Sequence, residues 1–160
     1  MAWSLLAASL LLVAARGASS AELVEGKHYK LLKPAQPSEA APGKVGVTEV
    51  FWYACGHCYL LEPKVEAWNR KGRAPYVQLI RLPATWNPVV KLHARVFYTI
   101  ELLGKPQLHD EAFREINVKG NRMDTPEKIE AFFVAHGVSK SDFQKAFSSF
   151  AVESKVLHAE

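Results

Sequence analysis

A β-branched and aromatic run, Val47 to Tyr53, leads directly into Cys55-Gly56-His57-Cys58, and an amphipathic stretch, Tyr59 to Lys71, follows. This order constrains the fold more than any other feature of the chain. The run reads as a buried strand. Leu61, Val65 and Trp68 recur at helical spacing after the cysteines, Pro63 predicts a kink, and Gly72 ends the helix. Tyr76 to Leu82 is the next strand. A strand, a helix and a second strand, with two cysteines where the helix opens, form an α/β unit whose chemistry sits at the helix start.

Those two cysteines are the only ones among 160 residues. Three positions apart, they close a loop too small to hold distant segments together, so a redox pair is the better reading. A plain structural disulfide between Cys55 and Cys58 is the alternative, although so short a loop yields little entropic stabilisation. A structural zinc site requires a second pair of ligands, and the histidines offer no matching spacing. Covalent haem attachment requires His directly after the second cysteine, where Tyr59 stands. No cofactor or metal is expected.

Leu5 to Ala15 is an unbroken apolar run followed by small residues, the pattern of a secretory signal, with cleavage after Ala21 or Ser20. It is too short for a membrane span. Residues 1–21 are therefore expected to be a signal peptide. Removing them takes away one charged side chain, Arg16, so the net charge of +4 becomes +3. Lys and Arg form no basic tract, and nucleic acid is not an expected partner. Export places the chain where disulfides persist.

The remaining residues divide at about position 84. Lys27 to Leu32 reads as a short edge strand and residues 35–46 as a loop. From Asn87 onward the signals are helical. Asn87-Pro88 and Thr125-Pro126 each set a capping residue before a proline at the first helical position, and Ser139 with Asp142 resembles a capping box. Helices are expected over Val89–Leu103, Gln107–Val118, from Pro126 to His136, after Ser139, and over Phe150–His158. The expected organisation is 22–83 with the strands and the cysteine helix, and 84–160 all helical.

A thiol attacks a disulfide only as the thiolate. Cys55 stands where unpaired backbone donors and the helix dipole favour an anion, and His57 adds positive charge or a hydrogen bond nearby. Cys55 is therefore the expected nucleophile and Cys58 the resolving thiol. A stabilised thiolate makes the disulfide a stronger oxidant, and Gly56-His57 between the cysteines favours the oxidising half of the range. Glu49, inside an apolar strand, is read as a buried proton acceptor for Cys58, against the alternative of a strand-end residue facing solvent or a lysine. Glu62, one turn after Cys58, either tunes the thiols or is a solvated helix residue, with solvation slightly favoured. His28, His93, His109, His136 and His158 are assigned surface or core roles. Trp52, Trp68, Trp86 and the phenylalanines are assigned to the core.

The run from Glu49 through Cys55-Gly56-His57-Cys58-Tyr59 to Glu62 resembles the active-site region of the DsbA family, bacterial periplasmic thiol:disulfide oxidants. Glu25-Gly26-Lys27 with Tyr29, and Phe143, Ala146, Phe147, Ser149, Phe150 and Lys155, are similar to the family's N-terminus and helical insert. The resemblance implies a thioredoxin-like fold interrupted by a helical domain. It implies an exported, periplasmic enzyme that oxidises reduced, unfolded exported proteins and is re-oxidised by a membrane quinone-linked partner of the DsbB type. Cys55 and Cys58 would form the redox disulfide, Gly56 and His57 the tuning dipeptide, and Glu49 and Glu62 the family's acids near the thiols. Gly56 departs from the proline common there. The family's C-terminal hairpin, its cis-proline and its last helix have no counterpart before Glu160, so the chain is expected to be a fragment or a truncated product. A reductase or isomerase using the same residues, or a non-catalytic remnant that binds partners, are the competing readings.

Overall fold

The computed structural model describes residues 22–160, so the expected signal peptide lies outside the described residues. Residues up to Pro37 and residues Ser38–Glu160 form separate units. In the first, the edge strand expected over Lys27–Leu32 does not form. The segment is exposed and turns through residues 25–29, with Gly26 N–H donating to Tyr29 O at 2.7 Å. Among the described residues its one strand-like pairing is the isolated bridge between Glu25 and Tyr29, too short to form a ladder.

The second unit starts with β1 (Val45–Phe51), followed by α1 (Gly56–Ala67) and β2 (Val77–Pro83). The strands pair in parallel, Val45 opposite Val77 through Phe51 opposite Pro83, so α1 is a crossover helix. Pro63 lies inside α1 without ending it, and a wider π-helical turn, Trp68–Gly72, completes the element. The strand expected to be buried is largely open: Val45, Val47 and Val50 are 55%, 40% and 61% exposed. β2 is the only strand paired with β1 among the described residues, and Phe51 alone of the seven is buried.

Five helices follow: α2 (Pro88–Leu102), α3 (Leu108–Asn117), α4 (Pro126–Ala135), α5 (Lys140–Phe147) and α6 (Phe150–His158). All of them but α3 start at a capping side chain. The side chains of Asn87, Thr125, Ser139 and Ser149 accept from Val90, Lys128, Asp142 and Val152 N–H, and prolines open α2 and α4. The core runs through these helices and takes Phe51 and Tyr53 from the end of β1. Around Phe51, the rings of Tyr53, Phe97, His109 and Phe113 lie 5.2–5.8 Å away between centroids. Two aromatic side chains assigned to the core lie outside it: Trp86 is 68% and Phe150 86% exposed. Each stands beside a helix start, Phe150 as the first residue of α6, where no neighbouring turn covers it.

Candidate active site

Chain geometry at the end of β1 puts the two thiols at a helix start. Cys55 caps α1 in an extended conformation, and its Sγ accepts the N–H of Cys58 at 3.3 Å. The loop before it is closed by Cys55 N–H donating to Trp52 O at 2.9 Å. Both cysteines are free thiols and half-buried, and Cys58 packs against the core. Desolvation opposes ionisation of Cys55, but hydrogen bonds from the Cys58 thiol and from the N–H groups of Cys58 and His57 outweigh it, so its pKa is lowered. Burial pushes the Cys58 thiol up, and its hydrogen bond to Cys55 adds to the effect. The two thiols are thus driven in opposite directions. His57 acts on Cys55 through its backbone N–H, while its side chain faces solvent. A Cβ at Gly56 would meet nothing within 4 Å.

Trp52 is fixed from the other side. Its indole N–H donates to His93 Nδ1 at 2.8 Å, and His93 Nε2 bonds Arg122 O at 3.0 Å. An imidazole that accepts at Nδ1 carries its proton on Nε2, so His93 is the neutral tautomer. Burial lowers its pKa accordingly. This histidine, expected only to fill the core or lie at the surface, braces the loop that presents Cys55.

Near Cys58 lies an ionic cluster in which Glu62 and His109 are buried and Glu49, Glu66 and Arg81 half-buried. Strand register sets Glu49 beside Arg81, with Glu49 Oε2 3.5 Å from Arg81 Nε. Arg81 Nη2 also meets Glu62 Oε1 at 2.5 Å and Glu66 Oε1 at 2.6 Å. The solvated position favoured for Glu62 is therefore corrected: the residue is 4% exposed and is the only buried residue of α1. Desolvation alone would raise its pKa, but His109 and Arg81 lower it. Glu49 moves the other way, since desolvation and the charge of Glu62 raise its pKa beyond what Arg81 offsets. Its charge also contributes to raising the Cys58 pKa.

Sequence reasoning missed three members of this cluster: Glu66, one turn after Glu62 on α1, Arg81 and His109. Arg81 lies in a strand of mixed pattern, and its meaning emerges only from the register that faces it to Glu49. His109 comes from α3, far away in sequence, and reaches Glu62 Oε1 at 3.5 Å and Tyr53 OH at 2.8 Å. Neither has a local motif. The signal available was the lone basic residue within the β2 run, opposite a strand carrying a lone acid. Among the described residues no group of three or more potential ligands could hold a metal ion.

No family model matches the chain. Curated relatives do. The chain is 37% identical over 148 residues to the thiol:disulfide interchange protein DsbA of Azotobacter vinelandii, covering 91% of this chain and 68% of that protein. It is 37% identical over 154 residues to the protein of the same name from Pseudomonas syringae pv. tomato, covering 96% and 70%. The crystal structure of Pseudomonas aeruginosa DsbA superposes with a TM-score of 0.72 at 32% identity, covering 79% of this chain and 66% of that one. The chain spans about two-thirds of the length of its relatives. With a thioredoxin-like α/β fold, a helical insertion and a CxxC pair at a helix start, this chain belongs to the DsbA family of thiol:disulfide oxidoreductases.

Proposed function

We propose that Cys55 is the exchanging sulfur and Cys58 the resolving one, that Glu49 moves the proton of Cys58, and that Gly56, His57 and Glu62 tune the pair. The opposite pKa directions of the two thiols at one helix start carry this reading. In the oxidising direction, a client thiolate attacks Cys55 Sγ of the Cys55–Cys58 disulfide. The S–S bond breaks, Cys58 leaves as a thiolate and takes a proton from Glu49, and a client–Cys55 mixed disulfide forms. A second client thiolate then attacks the client sulfur and expels Cys55 as a stabilised thiolate. The client has lost two electrons and the enzyme holds them as a dithiol. Re-oxidation reverses the roles: Cys55 attacks a partner disulfide, Glu49 takes the Cys58 proton, and Cys58 attacks Cys55 Sγ to release the partner.

Within the same proposal, the clients are reduced, unfolded exported proteins, the re-oxidising partner is a membrane quinone-linked protein of the DsbB type, and the compartment is the periplasm, reached by cleavage after Ala21 or Ser20. The relatives' shared name supports thiol:disulfide interchange, and the apolar run Leu5 to Ala15 supports export. The functional division of the fold is 22–83 for exchange and 84–160 as a helical insertion. Equilibration of the purified chain with glutathione tests the oxidant reading. The expected potential lies towards the roughly −120 mV end of the thiol-oxidoreductase range, and a value near −270 mV would assign a reductase instead.

A further inference from the structure

The cluster contains three carboxylates, buried Glu62 and half-buried Glu49 and Glu66, all on one guanidinium, Arg81. One guanidinium does not neutralise three carboxylates, and Glu49 Oε2, Glu62 Oε2, Arg81 Nε and His109 Nε2 have no hydrogen-bond partner. The other basic group in contact with the cluster is His109, whose Nε2 faces Glu62 Oε1 at 3.5 Å. The ring's state follows from its second contact. Tyr53 is fully buried, and burial raises its pKa, so it is a neutral phenol that needs a partner for its O–H. With Tyr53 O–H donating to His109 Nδ1 at 2.8 Å, the imidazole proton sits on Nε2 and points at Glu62. The opposite tautomer would turn a lone pair towards a carboxylate.

We infer that His109 is a positioning residue for thiol exchange: by holding its Nε2–H against Glu62 at 3.5 Å, and oriented by Tyr53, it relieves Arg81 of part of the Glu62 charge and leaves the guanidinium available to Glu49. The inference rests on the reading of Glu49 as proton acceptor for Cys58. Without the His109 donor, Glu62 draws more fully on Arg81, Glu49 loses its counter-ion and holds its proton more tightly, and a protonated Glu49 cannot accept from Cys58. The affected step is attack of Cys58 on a Cys55 mixed disulfide. A residue of the helical half thereby acts on the thiols across the core.

The test is the rate at which Cys58 releases glutathione from a Cys55–glutathione mixed disulfide at neutral pH. His109→Leu is expected to slow release three- to tenfold. His109→Gln, whose amide supplies an N–H for Glu62 and an oxygen for Tyr53, is expected to stay within twofold of the parent. Tyr53→Phe keeps the packing and removes the hydroxyl that orients the ring, and is expected to slow release two- to fivefold. It decides the matter if His109→Leu does not fold. Parental rates in both His109→Leu and Tyr53→Phe, or equal slowing by the Leu and Gln replacements, would overturn the inference. Glu49→Gln separates it from the underlying reading. A slow Glu49→Gln with a parental His109→Leu refutes only the role of His109. A parental Glu49→Gln refutes the acceptor reading and the route through Glu49 together.

Discussion

The sheet and the helices that follow it bury their side chains very differently. Of the seven residues in β1 only Phe51 is buried, and Val45, Val47 and Val50 face outward. In α2 eight residues are buried, among them Val90, Val96, Phe97 and Ile100, and α3, α4 and α6 continue the same core. The sheet side instead concentrates charge, with Glu49 and Arg81 in register and Glu62 and Glu66 descending from α1. The contrast separates two tasks. Apolar packing in the helical half supplies stability, while the sheet half holds a half-satisfied ionic cluster near Cys58. Such a cluster contributes little net stability but penalises the loss of any partner. His109, Tyr53 and Phe51 form the seam between them.

The largest expected effect falls on the shared cation. Arg81→Met leaves three carboxylates without a counter-charge and is expected to cost about 3–5 kcal/mol in urea unfolding at neutral pH. A loss under 1 kcal/mol would mean that the cluster is solvated rather than buried. On the helical side, Phe113→Ala is expected to cost about 3 kcal/mol or more, since Phe113 is 1% exposed and packs on Tyr53 at 4.9 Å. Val50→Ala, on the open strand, is expected to change stability by about 0.5 kcal/mol or less. Equal losses at the two positions would erase the contrast between the halves.

A smaller effect distinguishes the two acids by pH. The pKa of Glu62 is lowered from 4.5 in the folded chain, so its contribution to stability is present above 4.5 and is lost as pH falls through the folded value. Glu49 is raised above 4.5, so its contribution is present below 4.5 and is lost as pH rises through the folded value. Glu62→Gln should therefore be less stable than the parent near neutrality, with the gap closing in acid. Glu49→Gln should be the more stable partner near neutrality, and its advantage should also vanish in acid. Unfolding series from about pH 3 to pH 8 measure both gaps, and the same sign for both variants would break the assignment.

Much of the helical half was legible because its signals are local. Asn87-Pro88, Thr125-Pro126 and Ser139 each act within one turn, and helices begin at all three. The placement of Cys55 at the start of α1 was legible for the same reason. The remainder depends on tertiary neighbours. Lys27–Leu32 has strand composition, but among the described residues it makes only the isolated bridge of Tyr29 with Glu25. Glu62 reads as a surface helix residue until Arg81 and His109, 19 and 47 positions away, are brought to it. Trp86 has the apolar bulk of a core residue, yet lies in the loop before α2, 68% exposed and edge-on to Trp52 at 6.1 Å.

The central claim is the division of labour between the two thiols. Incubating the Cys58→Ser chain with a peptide disulfide should accumulate a stable mixed disulfide through Cys55. The Cys55→Ser chain, left with a thiol whose pKa burial raises, should form almost none. Equal trapping by both variants, or preferential trapping through Cys58, would contradict the account.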